Sequence, residues 1–222
     1  MQTEIVRTED GSHTLRATEI DECYHSTHGA VQESMHIFIR AGLLAFPQQA
    51  SGGTNVLETG FGTGLNAYLA LCEAEKSKRP IRYTSLELYP LAADEAMRLN
   101  YPEMLRADRH WFEKIHDSPW GADEVITPYF TLCKVQADFT QYELQGWYDV
   151  IFFDAFSPEK QPELWTEDGF RKIYAHSVPG AVLTTYCAKG SVRRALQSAG
   201  FVVERLPGPP GKREILRGKK GS

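Results

Sequence analysis

What the chain lacks narrows its class first. Within its 222 residues no apolar run approaches the roughly 18 that a membrane-spanning helix needs. The opening "MQTEIVRTEDGSH" lacks the basic-then-apolar layout of a secretory signal, so the expected location is the cytoplasm. Cysteine is sparse: Cys23, Cys72, Cys133 and Cys187 are scattered and form no CxxC pair. That spacing argues against a disulfide framework or a zinc ribbon and fits reduced, packed thiols. There is no internal repeat and no low-complexity linker, and the length suits one domain with an extension.

An overall excess of basic charge is also absent. The net charge of −5 argues mildly against a nucleic-acid partner. Its distribution is uneven, however. From Cys187 to Ser222 nine Lys and Arg face two acids, Glu204 and Glu214, so that segment is +7 and residues 1 to 186 carry −12. A polarised molecule can hold an anionic polymer at one end whatever its total sign. A solvated basic tail is the plainer alternative, and composition leaves both open.

What is present alternates between two periods. Residues 4–17 read as a hairpin turning at Asp10-Gly11. After Gly29, Val31, Met35, Phe38, Ile39 and Leu43 recur at helical spacing. Residues 1–50 are therefore expected to form a hairpin-and-helix extension, broken from residues 51–222 at Pro47 and "ASGG". In the second part, strands are expected at 54–58, 81–88, 129–135, 148–154, 180–187, 201–206 and 213–218. Helices are expected after the first strand, over 162–176 and 190–199, and through 90–128 with breaks at Pro102 and Pro119. This alternation predicts a Rossmann-like α/β fold: a mostly parallel seven-stranded sheet with helices on both faces. The short "PGPPGK" connection between the last two strands predicts one antiparallel edge strand.

The segment "VLETGFGTGLN" is a strand, a glycine turn and a helix start. Gly60, Gly62 and Gly64 have the spacing G-x-G-x-G, whereas dinucleotide binders usually show G-x-G-x-x-G. Glu58 beside the turn would repel a pyrophosphate but suits a ligand carrying an ammonium and a sulfonium, such as S-adenosylmethionine. Phe61 and Asn66 belong to the same candidate cofactor segment. A tight turn with no ligand is the bland alternative. Glu87, 27 residues after Gly60, ends the second strand, where an acid commonly accepts from a ribose diol. Asp138 follows the third strand and is placed to reach an adenine amino group. Asp154 ends the fourth. A single terminal acid reads equally well as a helix cap, but four in register point to a ligand at the carboxyl edge of the sheet.

"DVIFFDAFSPEKQPELW" poses the sharpest question, because Asp154 stands at the mouth of an apolar strand. A charge there is costly unless it is paired, solvated or used. An alkyl amine, with a pKa of about 10, is mostly protonated at neutral pH. A carboxylate could recruit that ammonium, aim its lone pair at a methyl carbon and assist its deprotonation. Phe61, Phe156 and Tyr186 are candidates for cation–π support, and Pro158 and Pro162 stiffen the loop.

"LETGFGTGLN", "FFDAFSPEKQPELW" and "GPPGKREILRG", with the N-terminal "DGSHTL" and "DECYHSTHGAVQES", resemble the methyltransferase domain of the MnmC/MnmD family of tRNA-modifying enzymes. The resemblance spans nearly the whole chain. It implies a class I methyltransferase that moves a methyl group from S-adenosylmethionine to the primary amine of 5-aminomethyl(-2-thio)uridine at the tRNA wobble position. It places the motif aspartate on Asp154, the cofactor segment on Glu58, Gly60, Gly62 and Gly64, and Glu87 and Asp138 on the adenosine. Tyr24, Ser26 and Glu33 are expected at the cofactor or acceptor pocket, with N-terminal packing as the alternative. Lys212 and Arg213 of "GKRE" are expected to meet the RNA backbone, unless they only solvate a hairpin. Bifunctional members of that family carry an oxidoreductase domain after the transferase; this sequence runs to Ser222 with no second glycine fingerprint, so a stand-alone transferase without an oxidoreductase domain is expected, with a separate enzyme supplying the aminomethyl substrate. No metal is expected: His25 and His28 lack a third ligand at useful spacing. Trp111, Trp120 and Trp165 read as core. The competing functions are a small-amine transferase resembling aminopropyltransferases, a nicotinamide-dependent oxidoreductase, and a catalytically idle RNA-binding module.

Overall fold

The computed structural model describes residues 2–47 and 52–221, so the expected boundary at 50/51 lies outside the described residues. Strand β1 (Thr3–Arg7) pairs antiparallel with β2 (His13–Ala17), and the two-residue β3 (Glu22–Cys23) adds to β2. The hairpin turn has a second task. Asp10 Oδ2 accepts the Gln32 N–H at 3.0 Å, and Ser12 Oγ accepts the Ala30 N–H at 3.1 Å. Helix α1 (Ala30–Ser34) starts at Gly29, which has no side chain to cap it. The turn therefore supplies the acceptors that the helix start needs. A π-helical stretch, Met35–Arg40, continues α1 and buries Ile37, Phe38 and Ile39. The Phe38 ring lies 5.3 Å from that of Phe152, so the N-terminal part shares the main core.

The rest of the chain builds one sheet. In order it runs β4 (Thr54–Thr59), α2 (Leu65–Ser77), β5 (Ile81–Glu87), α3 (Ala93–Ala96), α4 (Tyr101–Leu105), α5 (Arg109–Asp117), β6 (Asp123–Thr127) and β7 (Phe130–Gln136). Then come β8 (Tyr148–Phe153), α6 (Glu167–Ala175), β9 (Ser177–Thr185), α7 (Gly190–Ser198), β10 (Val202–Pro207) and β11 (Glu214–Lys219). The spatial order is β10-β11-β9-β8-β4-β5-β7-β6. The five inner strands β9, β8, β4, β5 and β7 are parallel. Both faces of the sheet are covered. In β8, Val150 and Phe152 pack on the side of α2 and the π-helix, while Ile151 and Phe153 pack on the side of α6 and α7. All six residues of β8 are buried, which explains the apolar run Val150–Phe153. The chain leaves β4 in one direction, to β5, and returns on its other side as β8. Adjacent loops diverge at such a reversal and leave a crevice at the carboxyl ends of the strands.

The Rossmann-like α/β class stands, with four differences of detail. The sheet has eight strands: β6 forms in a stretch expected to be helical and makes an antiparallel hairpin with β7. The antiparallel strand near the C-terminus is β11, and it lies second from the edge, between β9 and β10. Burial explains the order, since Ile215 and Leu216 of β11 are fully buried whereas Val202 of β10 is 63% exposed. Pro102 does not break a helix; it sits in the first turn of α4, where its missing N–H costs nothing. The helix expected over 162–176 divides into a 3-10 turn, Pro162–Leu164, and α6, whose start is capped by Thr166 accepting the Gly169 N–H. All four cysteines are free thiols. Among the described residues no helix is long and apolar enough to cross a membrane.

The layered core makes a direct prediction. Phe152→Ala, which empties space between the rings of Phe38 and Tyr83, should lower unfolding free energy by about 3–5 kcal/mol in urea titration. Val202→Ala, on the exposed edge, should change it by no more than about 0.5 kcal/mol.

Candidate functional site

The crevice beside β4 opens into a cavity of about 450 Å³. Its floor is the glycine turn. Gly60 has φ +91, and a β-carbon there would lie 2.5 Å from the Asp154 carbonyl oxygen. Gly62 has φ +48, and a β-carbon there would meet the Tyr24 ring at 2.9 Å. Side chains at these two positions would strain the backbone and close the floor. Glu87, at the end of β5, is tied to the turn: Oε2 accepts the Gly62 N–H at 3.0 Å and Oε1 the Tyr89 N–H at 2.9 Å. Burial raises its pKa, against the pull of those N–H donors.

Of the candidate cofactor residues, Gly60, Phe61, Gly62, Asn66, Glu87 and Asp138 line this cavity. Two do not. Glu58 is fully buried beneath the floor, because strand alternation in β4 turns its side chain into the sheet layer; Ser85 Oγ donates to its Oε2 at 2.6 Å. Desolvation pushes its pKa up to about 8, opposed by Ser85, Asn66 and Tyr83. Gly64 starts α2 and faces His116 under the turn.

The other half of the cavity gathers Asp154, Tyr24, Ser26, Phe156 and Lys212. Asp154 follows β8, with its N–H bonded to Thr59 O at 3.0 Å and its Oδ2 accepting from Asn66 Nδ2 at 2.7 Å. Burial holds its pKa well above the usual carboxylate range; Glu58 and Glu33 add to this, while Asn66 and Lys212 oppose it. The loop beyond Asp154 is pinned at four points. Tyr186 Oη donates to Ala155 O at 2.9 Å, Trp165 Nε1 to Phe156 O at 2.8 Å, and the Phe156 N–H to Gln161 Oε1 at 3.1 Å. The Ser157 N–H and hydroxyl both reach the Glu22 carboxylate. Tyr24 and Phe156 meet edge to face at 5.0 Å.

The roof comes from the N-terminal part and the β10–β11 connection. Glu33 is buried; it accepts the Ser26 N–H at 2.7 Å and lies 3.4 Å from Lys212 Nζ. Lys212 sits 4.9 Å above the Tyr186 ring. It therefore faces the cavity instead of projecting outward as a free cation. Arg213 lies outside the cavity, exposed, and makes no ion pair among the described residues. It lines a shallow adjoining groove that shares Lys212 and Tyr186 with the main cavity. Most of the basic C-terminal charge is already engaged. Arg217 and Lys219 pair with Glu204, Arg205 with Glu214, and Lys189 with Glu159, while Lys220 donates to the Tyr174 and Ser177 carbonyls.

Several supports of the site carry no signal in the residue pattern. Lys134, in β7, is 1% exposed and donates to His116 O at 2.7 Å between the rings of Phe61 and Trp120. Burial lowers its pKa to about 8. A lysine between Cys133 and Val135 reads as a surface residue of a strand, so no pattern identifies it. His25 is buried against Thr63 Oγ1 at 2.7 Å, and desolvation pushes its pKa down to about 4. His28 instead pairs with Glu9, so the two histidines serve different partners. Glu22, which clamps Ser157, was also unforeseen. Trp165 is core, as expected, and doubles as a loop anchor.

Against known proteins, the family described as S-adenosyl-L-methionine-dependent methyltransferase matches residues 121–221. The tRNA 5-methylaminomethyl-2-thiouridine biosynthesis bifunctional protein MnmC of Pseudomonas savastanoi pv. phaseolicola is 32% identical over 215 residues, covering 91% of this chain and 33% of that protein. Its counterpart in Pseudomonas syringae pv. tomato is 33% identical over 218 residues, covering 91% and 33%. The chain thus spans about a third of the length of these relatives. Among solved structures, MNMC2 from Aquifex aeolicus superposes with a TM-score of 0.80 at 27% identity, covering 98% of this chain and 70% of that one. Spermidine synthase from Thermotoga maritima, at TM-score 0.60 and 12% identity, covers 100% and 72% and shares the fold alone.

The floor yields a test. Gly60→Ala should weaken S-adenosylhomocysteine binding by about tenfold or more, equivalent to about 1.4 kcal/mol, in calorimetric titration. Unchanged affinity would mean that the glycine turn is not the floor of the ligand site.

Proposed function

Because the chain belongs to the S-adenosyl-L-methionine-dependent methyltransferase family represented by the MnmC methyltransferase domain, we propose that it methylates the primary amine of 5-aminomethyl(-2-thio)uridine at the tRNA wobble position. The product is 5-methylaminomethyl(-2-thio)uridine. The observation that carries this reading is Asp154, a half-buried carboxylate on the wall of the cavity, which aromatic rings and the glycine turn also line. An amine acceptor explains an acid at that place; a carbon or phosphate acceptor does not.

The residues present fit the family's cofactor. The two glycines leave a floor that a β-carbon would fill, and Glu87 is held by backbone N–H groups at one end of it. Glu87 and Asp138 would hold the adenosine, and the Gly60–Gly62 backbone with Phe61 and Asn66 the remainder. When bound, S-adenosylmethionine supplies an electrophilic methyl group on a sulfonium. Asp154 attracts the acceptor ammonium, accepts a hydrogen bond from it and aims its nitrogen. Burial makes Asp154 a stronger proton acceptor than a free carboxylate, which suits a group that must draw a proton from an alkyl ammonium. Tyr24, Phe156 and Tyr186 exclude water and offer ring faces to cationic groups. Ser26 and Glu33 hold the roof closed through Lys212.

The anticodon loop is single-stranded, so its wobble base can be splayed into the cavity at modest cost. Arg213, exposed in the groove beside the cavity, would meet the RNA backbone. A preceding enzymatic step must install the aminomethyl group. In this reading residues 51–222 are the transferase unit, residues 1–50 its roof-forming extension, and the site of action is the cytoplasm. A small-amine transferase is the second reading, since the acidic cavity would suit a polyamine too; the free cation next to it favours RNA.

Incubation with bulk tRNA bearing the aminomethyl nucleoside and labelled S-adenosylmethionine should place label in the wobble nucleoside. Label in polyamines alone, or none in RNA, overturns the RNA reading. Asp154→Asn should lower kcat/KM by about 10²–10⁴-fold, the span expected for loss of a general base. Arg213→Ala should weaken tRNA binding and reduce its log–log salt slope by about one, as for one lost phosphate contact.

A further inference from the structure

One buried acid takes no part in the chemistry above. Glu58 lies behind the cavity floor, among side chains from three elements: Asn66 in the first turn of α2, Tyr83 and Ser85 on β5, and Asp154 after β8. Among the described residues, Glu58 Oε1, Asn66 Oδ1 and Tyr83 Oη are all buried without a hydrogen-bond partner. Three orphaned polar atoms around one carboxyl are unusual, because each unmet group costs about 1–3 kcal/mol.

The pattern has one simple resolution. Asn66 gives one N–H to Asp154 Oδ2 at 2.7 Å, and its carbonyl oxygen is left needing a donor. An ionised carboxylate only accepts, whereas a protonated one also donates. The second Asn66 N–H could reach an ionised Glu58 but would leave the Asn66 oxygen orphaned; a protonated Glu58 supplies the donor that this oxygen lacks. With a proton on Oε1, Glu58 donates to Asn66 Oδ1, and its carboxyl can then accept from Tyr83. Ser85 already donates to the other oxygen at 2.6 Å. The surroundings favour that placement. The charged groups facing Glu58 are Asp154 and Glu87, both acidic. Asp154 in turn faces Glu33, also acidic, but has Lys212 and the cavity on its own side. The cation and the solvent access belong to Asp154, and Glu58 has neither.

We propose that Glu58 is a neutral carboxylic acid at neutral pH, a positioning residue that locks the Asn66 amide with its N–H toward Asp154. Asp154 is then the carboxylate of this pair that meets the acceptor. Glu58 thus contributes through its proton and not through a negative charge presented to the cofactor. The inference holds whichever amine is methylated, so it stands or falls separately from the RNA reading. It also sets a sign for pH. An acid neutral when folded and ionised when unfolded binds an extra proton on folding. Its contribution to stability therefore declines as pH rises from the ordinary glutamate value of 4.5 to about 8, and is level above that.

The test is infrared spectroscopy on the whole ligand-free protein. The wild type should show a protonated-carboxyl C=O stretch at pH 7 that fades with a midpoint near 8. Glu58→Gln, which keeps the donor to Asn66, should lack that band, while Asp154→Asn should retain it. Glu58→Gln should also exceed Glu58→Ala in kcat by tenfold or more at pH 7, and should lose the decline in thermal stability between pH 5 and 8. A wild-type spectrum without the band overturns the proposal even if no variant folds. So does a band that survives Glu58→Gln or vanishes in Asp154→Asn. A tenfold or greater loss of S-adenosylhomocysteine affinity in Glu58→Gln, with the fold intact, would show that the negative charge itself is what the site needs.

Discussion

Acids crowded into a low-dielectric crevice are the constraint around which this molecule is organised. Asp154, Glu87, Glu33 and Glu58 lie at or beneath one edge of the sheet, and burial raises the pKa of Asp154, Glu87 and Glu58. Each acid is made tolerable in a different way. Backbone N–H groups hold Glu87, Lys212 and the Ser26 N–H hold Glu33, and Asn66 holds Asp154. What they leave unmet is positive charge, which suits a sulfonium donor and an ammonium acceptor.

The N-terminal part is integral to that arrangement. Asp10 and Ser12 start α1, α1 carries Glu33, and Glu33 draws Lys212 over the cavity from the far end of the chain. Glu22 of β3 fixes the loop beyond Asp154 through Ser157. A small sheet and one helix thereby connect the two ends of the domain across the site. Phe38 against Phe152 and Tyr24 against Phe156 join the extension and the sheet in one body of side chains.

Much of this was legible in the residues. Alternating periods and the glycine turn gave the α/β fold, and terminal acids marked the edge of the sheet that carries the cavity. The departures have physical causes. β6 was hidden because five residues, two of them acidic, carry too little pattern to separate a strand from the helices before it. The order of β10 and β11 depends on which strand buries more apolar surface in three dimensions. Glu58 looked like its neighbours in register, yet strand alternation turned it inward. Lys134 and Glu22 act only through partners remote in sequence, and no local spacing reports such contacts. The charge of Lys212 suggests an outward contact, while its position follows from Glu33, which lies 179 residues earlier.

Proton linkage offers the most direct test of the acid cluster. Calorimetric titration at pH 7 in buffers of differing ionisation enthalpy counts the protons exchanged on binding. S-adenosylmethionine carries the sulfonium charge and S-adenosylhomocysteine lacks it. If desolvated acids await a cation, the charged ligand must lower their pKa values and release more protons than the neutral one. Equal exchange for the two ligands, or net uptake with the sulfonium, would contradict the account.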